Sequence, residues 1–450
     1  MRHVLLLATT TGYQIRSFGE AAEKLGVRVI FASDRCDQLS DPWSDRAIPV
    51  RFWDEAASVD AVIAACTDTR PDGIIAVGDR PTVLAACIAE ALGLPGNPPS
   101  AVRASRNKLA SRRAFKAAGL LTPSFADVSI ADDASALAAD CTFPAVVKPL
   151  ALSGSRGVIR VDRASDFVWA FERLGRLLVS PDIVSERDEA HGRALIESYI
   201  PGNEFAVEGV ITAGVFTPFV IFDKPDPLVG PFFEETIYVT PSRASHVVQQ
   251  AIVDQVAAAV RALDLRHGAI HAECRVNTKG VYVLEVAPRP IGGLCARAVR
   301  FDDALHSRTL PPPPLRGFGA ASALSHLRTL APSHLRTSLE EVLLRHALGE
   351  DISRWTPVER AAGVMMIPIP KRGVYRGVTN VEAALAVAGV DEVVITAKAD
   401  EVLLPLPEGR SYLGFIFASG DDPARVEQSL RGAHATLAFD IEREIELAPR

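Results

Sequence analysis

Residues 271–293 read HAECRVNTKGVYVLEVAPRPIGG, and this stretch decides the fold. Its alternation of apolar and polar residues predicts two strands, at roughly 269–276 and 281–286, joined by a turn. An odd-length loop that Gly280 closes as a bulge would place Glu273 directly opposite Glu285. Two facing carboxylates repel each other, so the pair predicts a cation between them.

The chemistry of this pair favours Mg²⁺ over zinc as that cation. Glu273 and Glu285 offer only oxygen ligands, which suit a hard ion. The alternative is that one of the two glutamates points to solvent or pairs with Arg275.

Composition indicates a globular protein of two to four domains. The chain has 450 residues, 48% of them hydrophobic and 23% charged, and a net charge of -7. This charge and the scattered basic residues argue against a nucleic-acid partner. No apolar run approaches the roughly 20 residues that cross a membrane. The six cysteines lie singly, and Cys66 and Cys87 are predicted core residues of a reduced, cytoplasmic protein.

Short apolar strands alternate with helices near the start of the chain. The predicted elements are strands 3–8, 27–33 and 73–78 and helices 13–25 and 82–92. This alternation predicts a Rossmann-like, doubly wound α/β domain with a parallel sheet over residues 1–100.

The pattern then changes to α+β. Residues 101–310 are predicted to form a second domain that contains the opening hairpin and a flexible lobe at about 140–200. The proline run 311–314 marks the next boundary. Residues 311–450 are predicted to form a third, α+β unit.

Lys148 lies at the end of another apolar strand. The loop 153–157, sequence SGSRG, follows it. Glycines let backbone N–H groups point at an anion, and a neighbouring lysine adds a point charge for phosphate. The loop joins strand to strand, so it is neither a Walker A loop nor a dinucleotide-binding turn. An ordinary hairpin loop is the alternative.

Two further segments contain polar residues whose role cannot be inferred from either segment alone. Glu197, Tyr199 and Glu204 lie around a strand edge at 194–210 that could meet an adenine and a ribose, although solvent-facing strand residues would look the same. Lys108 lies on the first turns of a helix and, taken alone, indicates a solvated basic face.

Together and in this order, the four segments resemble the ATP-grasp superfamily. The likeness covers nearly the whole chain and implies an ATP-grasp fold, in which two α+β lobes clamp the nucleotide behind an N-terminal Rossmann-like domain. Residues 363–396 and 404–420 are similar to the C-terminal portion of L-amino-acid ligases, the dipeptide synthases related to carnosine synthase.

The resemblance implies a role for each matched residue. It assigns ATP phosphates to Lys108 and Lys148, under a flap that includes Ser153, Gly154, Ser155 and Gly157. It assigns the adenine end to Glu197 and the backbone near Tyr199, and the ribose to Glu204. It assigns the metal to Glu273 and Glu285, the transferred phosphoryl group to Arg289, and the substrate carboxylate to Gly292 and Gly293. His271 would contact substrate or phosphate, with a structural histidine as the alternative.

One position departs from the family pattern. Many members have Asn two residues after the second metal-binding Glu, and this chain has Ala287. Water would then complete the coordination of Mg²⁺, or of Mn²⁺ in its place, unless one metal site is weakened.

The implied reaction joins a small-molecule carboxylate to an amine at the expense of ATP. The carboxylate would attack the γ-phosphate, and the amine would then displace phosphate from the acyl phosphate. Residues 222–242 are predicted to form a lid or substrate loop with an exposed pair of phenylalanines, where Glu234 or Glu235 would bind a substrate ammonium. A passive surface loop is the alternative. Members of the family are often homodimers.

Two other functions fit the same residues. Bicarbonate could be the activated acid, as in the carboxylating relatives. A nucleotide-binding protein that has lost catalysis is the other, and Ala287 is its support.

Overall fold

A computed structural model describes residues 1–10, 12, 14–35, 47–304, 336–409 and 411–443. Tyr13 at the predicted helix start, Cys36, the proline run and the predicted boundary at 310/311 lie outside these residues. Within the described part of the chain, no helix has the length and apolarity needed to cross a membrane.

The N-terminal sheet has four parallel strands in the order β3-β2-β1-β4. The strands are β1 (His3–Ala8), β2 (Arg28–Ser33), β3 (Ile48–Pro49) and β4 (Gly73–Val77), and the helices are α1 (Ile15–Leu25), α2 (Glu55–Ala65) and α3 (Pro81–Leu92). Val4 and Leu6 pack in the core with α1, whereas Leu5 and Leu7 pack in the core with α2 and α3. Both faces of the sheet are therefore covered, as the doubly wound prediction requires.

The lobe that follows is an antiparallel sheet covered by helices. Its strands β5 (Phe125–Ser129), β6 (Ala145–Pro149), β7 (Ile159–Val161) and β8 (Arg193–Ser198) pair in the order β5-β8-β6-β7. Two helices, α4 (Pro99–Arg106) and α5 (Lys108–Ala117), precede this sheet in the chain, and the helices of the lobe itself are α6 (Ala134–Asp140), α7 (Ala164–Leu178) and α8 (Pro181–Val184). We call residues 125–198 the lid lobe.

The central sheet has eight strands and receives residues from both sides of the predicted 310/311 boundary. Its strands are β9 (Asn203–Thr212), β10 (Val215–Lys224), β11 (Ile237–Thr240), β12 (Gly268–Asn277), β13 (Gly280–Ala287), β17 (Ala361–Ile367), β19 (Val390–Ile395) and β21 (Gly414–Gly420). Their order is β13-β12-β9-β10-β11-β17-β21-β19. Three strands of the C-terminal part, β17, β19 and β21, therefore continue this sheet through the β11–β17 pair.

Smaller elements complete the described fold. Two three-stranded sheets have the orders β15-β14-β16 and β20-β18-β22. Their strands are β14 (Arg300–Asp303), β15 (Thr337–Ser338), β16 (Trp355–Pro357), β18 (Gly373–Thr379), β20 (Val402–Leu403) and β22 (Ala438–Glu442). The remaining α-helices are α9 (His246–Ala262), α10 (Leu339–Ala347), α11 (Val381–Leu385) and α12 (Pro423–Thr436).

The opening hairpin pairs Glu273 with Glu285, as predicted, but for a different reason. Asn277 pairs with Gly280, so the connecting loop has an even length and would set the two glutamates out of register. The register shifts between Glu273 and Cys274, where β13 inserts Leu284 as a β-bulge. The bulge restores the facing pair and turns Leu284 and Glu285 toward the same cavity.

The prediction for residues 222–242 is partly wrong. Residues 237–240, sequence IYVT, form the buried strand β11, because a β-branched and aromatic run favours the interior of a sheet. Phe233 is buried and Phe232 is half-buried, so the pair is not exposed. Residues 225–236 form the connection. Cys66 is a core residue as predicted, and Cys87 is half-buried.

A pair of stacked histidines lies where α10 meets the ends of β9 and β12 of the central sheet. The rings of His267 and His346 are 4.5 Å apart, and Nε2 of His346 is 2.8 Å from the Thr212 hydroxyl. Burial, with a smaller effect from His267, lowers the pKa of His346 to about 4.

We expect this pair to make the protein sensitive to acid. Between pH 6.5 and pH 4 the unfolded chain protonates His346 while the native chain does not, so the free energy of unfolding falls as the pH is lowered. The full effect is about 3 kcal/mol. Urea unfolding at a series of pH values should show a shallower decline for His346→Gln than for wild type, and equal slopes would contradict the assignment.

Candidate active site

A cavity of about 300 Å³ lies between the lid lobe and the central sheet. Fifteen of the sixteen residues assigned to the site from the sequence line it: Lys108, Lys148, Ser153, Gly154, Ser155, Glu197, Tyr199, Glu204, Glu235, His271, Glu273, Glu285, Arg289, Gly292 and Gly293. The exception is Gly157, whose N–H donates to the Pro407 carbonyl. These segments are far apart in sequence, so the fold brings them together.

Lys108 faces the metal-binding candidate, not solvent. It begins α5, which Asn107 caps through its side chain. The ammonium lies 3.3 Å from Glu285 and donates to the Leu152 carbonyl at 2.7 Å. The alternative of a solvated helix face is therefore wrong for Lys108.

Lys148 and Glu197 form a buried pair on adjacent strands. Their charged atoms are 2.5 Å apart, and Nε of Arg112 lies 2.6 Å from the same carboxylate. Burial lowers the pKa of Lys148 to about 8, although Glu197 opposes the shift. Glu197 is therefore buried, not solvent-facing, and it positions the ammonium of Lys148.

Glu204 and Tyr199 shape the neighbouring wall. Glu204 is buried and accepts from Arg275 at 2.8 Å, so the alternative in which Arg275 pairs with a hairpin glutamate is wrong. The ring of Tyr199 lies 6.5 Å from that of Phe233 and 4.1 Å from the guanidinium of Arg160. Its backbone N–H already donates to the Pro144 carbonyl.

Lys224 occupies the centre of a carboxylate cluster. Its ammonium lies 2.8 Å from Glu204, 3.1 Å from Glu235 and 3.0 Å from Glu273. Burial alone would lower the pKa of Lys224, but the three carboxylates raise it well above its usual value. The ammonium of Lys224 therefore supplies part of the positive charge that the facing glutamates require.

Glu235, not Glu234, faces the cavity. Tyr238 donates its hydroxyl proton to Glu235 at 2.6 Å. Burial, and then the charge of Glu273, raises the pKa of Glu235 to about 7.

His271 is held between two carboxylates on the face of Glu273. Its Nδ1 is hydrogen-bonded to Glu208, and its Nε2 lies 3.4 Å from Glu273. Burial lowers the pKa of His271, but Glu208 and Glu273 together raise it to about 9, so the ring is positively charged at neutral pH. Glu208 also accepts from the backbone N–H of Ile291, which fixes the chain just before Gly292.

Arg289 lines the cavity and is paired with a residue of the N-terminal domain. Its guanidinium forms a bidentate pair with Asp79 at 2.9 and 3.1 Å, directly after β4. Burial opposes the shift, but Arg289 lowers the pKa of Asp79, so the pair stays ionised. The backbone of Gly293 is left-handed, with φ 61°, and a Cβ on Gly292 would meet open space.

The residues present fit a magnesium ion. Glu273 and Glu285 face the cavity with oxygen donors, which is the ligand chemistry that Mg²⁺ prefers. Burial raises the pKa of the neighbouring Cys295 thiol, so a soft thiolate does not compete. Ala287 lies opposite His271 and offers only a methyl group.

Four buried or half-buried residues of this site were missed from the sequence: Asp79, Arg112, Glu208 and Lys224. A signal existed for Lys224, because it ends the apolar strand β10 just as Lys148 ends β6. Asp79 also follows an apolar strand and a glycine. Arg112 and Glu208 gave no such signal, since each is one polar residue within an amphipathic or apolar element.

Comparison with known families accounts for these features. Residues 141–298 match the ATP-grasp domain and residues 19–96 match the ATP-grasp N-terminal domain. Residues 365–442 match L-amino acid ligase C-terminal domain 2.

Individual proteins agree with the domain matches. The uncharacterized protein y4rH of Sinorhizobium fredii is 28% identical over 65% of this chain and 59% of its own length. Carnosine synthase 1 of Gallus gallus is 27% identical over 65% of this chain and 33% of its own length. The chain thus spans less than two thirds of the length of the first relative and one third of the second.

The crystal structure of L-amino acid ligase from Bacillus licheniformis has the same fold. It superposes with a TM-score of 0.74 at 24% identity, covering 98% of this chain and 99% of the other. The chain is a member of the ATP-grasp superfamily. Within that superfamily, it is similar to the L-amino-acid ligases in its C-terminal part.

We expect Lys224→Met to destabilise the fold. It would leave one buried and two half-buried carboxylates without their shared cation, which costs about 3 kcal/mol or more. Protonation of those carboxylates relieves the repulsion, so the deficit relative to wild type should shrink as the pH falls from 8 to 5. Urea unfolding measures this. The exposed Lys279→Met is the matched control, and equal loss in both variants would contradict the role of Lys224.

Proposed function

We propose that this protein is an ATP-dependent carboxylate–amine ligase that forms an amide or peptide bond through an acyl phosphate. The observation that carries the proposal is the convergence of Lys108, Lys148, the facing pair Glu273–Glu285 and Arg289 on one cavity. Similarity to L-amino acid ligase and to carnosine synthase supports the reaction class.

In this proposal ATP lies between the lid lobe and the central sheet. Lys108 and Lys148 bind the phosphates, and Ser153 to Ser155 cover them. Glu204 accepts hydrogen bonds from the ribose hydroxyls, which replace contacts that its carboxylate now makes with cationic side chains. Tyr199 meets the adenine, while Glu197 acts through Lys148.

Glu273 and Glu285 would hold Mg²⁺, or Mn²⁺ in its place. Held there, the ion would supply positive charge that offsets the charge of the phosphates. Because the side chain of Ala287 has no oxygen, Glu273 and Glu285 would be the side chains that hold the ion, with water in place of the missing amide.

The first chemical step is in-line phosphoryl transfer. A substrate carboxylate oxygen forms a bond to the γ-phosphorus, and the bond from that phosphorus to the ADP oxygen breaks. The step needs positioning and charge neutralisation more than covalent help. Arg289, oriented by Asp79, faces the transferred group, and the charged ring of His271 adds a second cation.

The second step forms the amide. The amine nitrogen attacks the acyl carbon, the carbon–oxygen bond to phosphate breaks, and the departing phosphate takes up the proton that the nitrogen loses. Gly292 and Gly293 let the substrate carboxylate approach the backbone closely. Glu235, when ionised, pairs with a substrate ammonium, so we propose that at least one substrate is an amino acid.

We expect Glu285→Gln to reduce ADP formation by about 100-fold or more, because an amide neither binds the metal as strongly nor balances Lys108. Glu285 is partly exposed, so the protein should stay folded. Coupled ADP release measures the rate, and circular dichroism checks the fold. Unchanged turnover would contradict the metal assignment.

A screen distinguishes the candidate functions. ADP release is measured with amino acids singly and in pairs, and mass spectrometry identifies the product. An amide product supports the ligase. ATP hydrolysis that requires only bicarbonate would support the carboxylating alternative. Tight ATP binding without turnover over a broad panel of acids and amines would indicate a nucleotide-binding protein without catalysis.

A further inference from the structure

The flap over the proposed phosphate site is hydrogen-bonded to the C-terminal part of the chain. The Gly157 N–H donates to the Pro407 carbonyl at 2.9 Å. Nε of Arg156 donates to the Glu408 carbonyl at 2.8 Å. Two consecutive flap residues thus contact two consecutive residues of the loop 404–409.

The side chain of Glu408 makes a second attachment to the lid lobe. Its carboxylate accepts two parallel bonds from Arg173, at 2.5 and 2.8 Å. Such a bidentate geometry fixes the relative orientation of the two groups. The Arg173 guanidinium also lies over the rings of Trp169 and Phe232, at 4.8 and 5.3 Å, which restricts its motion.

Arg173 belongs to the helix that supports the flap. It lies on α7, and a Cβ on Gly157 would come within 3.0 Å of Leu174 and Leu177 of that helix. The flap and α7 are therefore packed together, and Glu408 bonds to both. Arg156 is held on its other side by Asp182 at 2.8 Å, and its side chain is only 11% exposed.

The loop 404–409 also connects to the cavity. Gly409 donates to the Pro405 carbonyl, which closes the loop into a tight turn. Tyr412, a few residues further on, lines the cavity on the side of Glu235. One short segment thus contacts the flap at one end and the candidate substrate region at the other.

We propose that Glu408 is a positioning residue that holds the flap closed over the phosphates of ATP by fixing the side chains of Arg173 and Arg156. The proposal rests on the proposed function in assigning phosphates to the flap. Its action is indirect, since Glu408 does not line the cavity.

The first test uses the protein without substrates. Trypsin cleaves after Arg156 only when the flap opens, so the cleavage rate reports the population of the open form. Glu408→Gln removes one charge with little change in size and should raise this rate about threefold to fivefold, the range expected for a partly exposed, bidentate ion pair. An unchanged rate would overturn the proposal.

The matched control is Glu392→Gln. Glu392 also lies in the C-terminal part of the chain, and its side-chain carboxylate pairs with Arg297 at 2.9 Å. It contacts neither the flap nor α7. This variant should leave cleavage after Arg156 unchanged. Equal acceleration in both variants would indicate general destabilisation and would overturn the role of Glu408.

A second measurement separates positioning from stability. Glu408→Gln should raise the KM for ATP about threefold to fivefold while kcat stays within about twofold. Arg173→Gln should have the same effect, and the double variant should be no worse than either single one. Additive effects, or a fall in kcat alone, would contradict the mechanism. If the wild type turns over no ATP, the proposed function fails, and the cleavage rates still decide whether Glu408 holds the flap.

Discussion

The ammonium of Lys224 amid Glu204, Glu235 and Glu273 is the interaction on which the rest of the site depends. It joins strands β9, β10 and β12 and the connection that follows β10 in one buried charge cluster. Without a cation there, the facing pair Glu273–Glu285 would repel in a poorly solvated cavity. The lysine holds the three carboxyl groups close together, so the site is preorganised before any ligand binds.

The same pattern of matched charges recurs around the cavity. Lys108 pairs with Glu285, Lys148 with Glu197, and Arg289 with Asp79. Each cation is held by a carboxylate that a polyphosphate would compete with or displace. Binding a highly charged ligand is then an exchange of partners, which costs less than introducing charge into an empty pocket.

Much of this site could be predicted because its residues lie at strand ends and in loops with distinct local patterns. Lys148 follows an apolar run, and the flap is marked by its glycines. The bulge at Leu284 could not be predicted. A loop of even length shifts the strand register by one residue and the inserted Leu284 shifts it back, so the expected pair of glutamates is unchanged. Asp79 could not be paired with Arg289 either, because only the tertiary fold brings residues 210 positions apart together.

The β11–β17 pair has a consequence for how the chain can be divided. Backbone groups of β11 are satisfied on one side by β10 and on the other by a strand from the C-terminal part. Removing that part would turn a buried strand with the sequence IYVT into an open, apolar edge. Such an edge is a template for intermolecular pairing. The C-terminal part therefore also protects solubility, and the part of the chain before it could not be separated from it without a replacement strand.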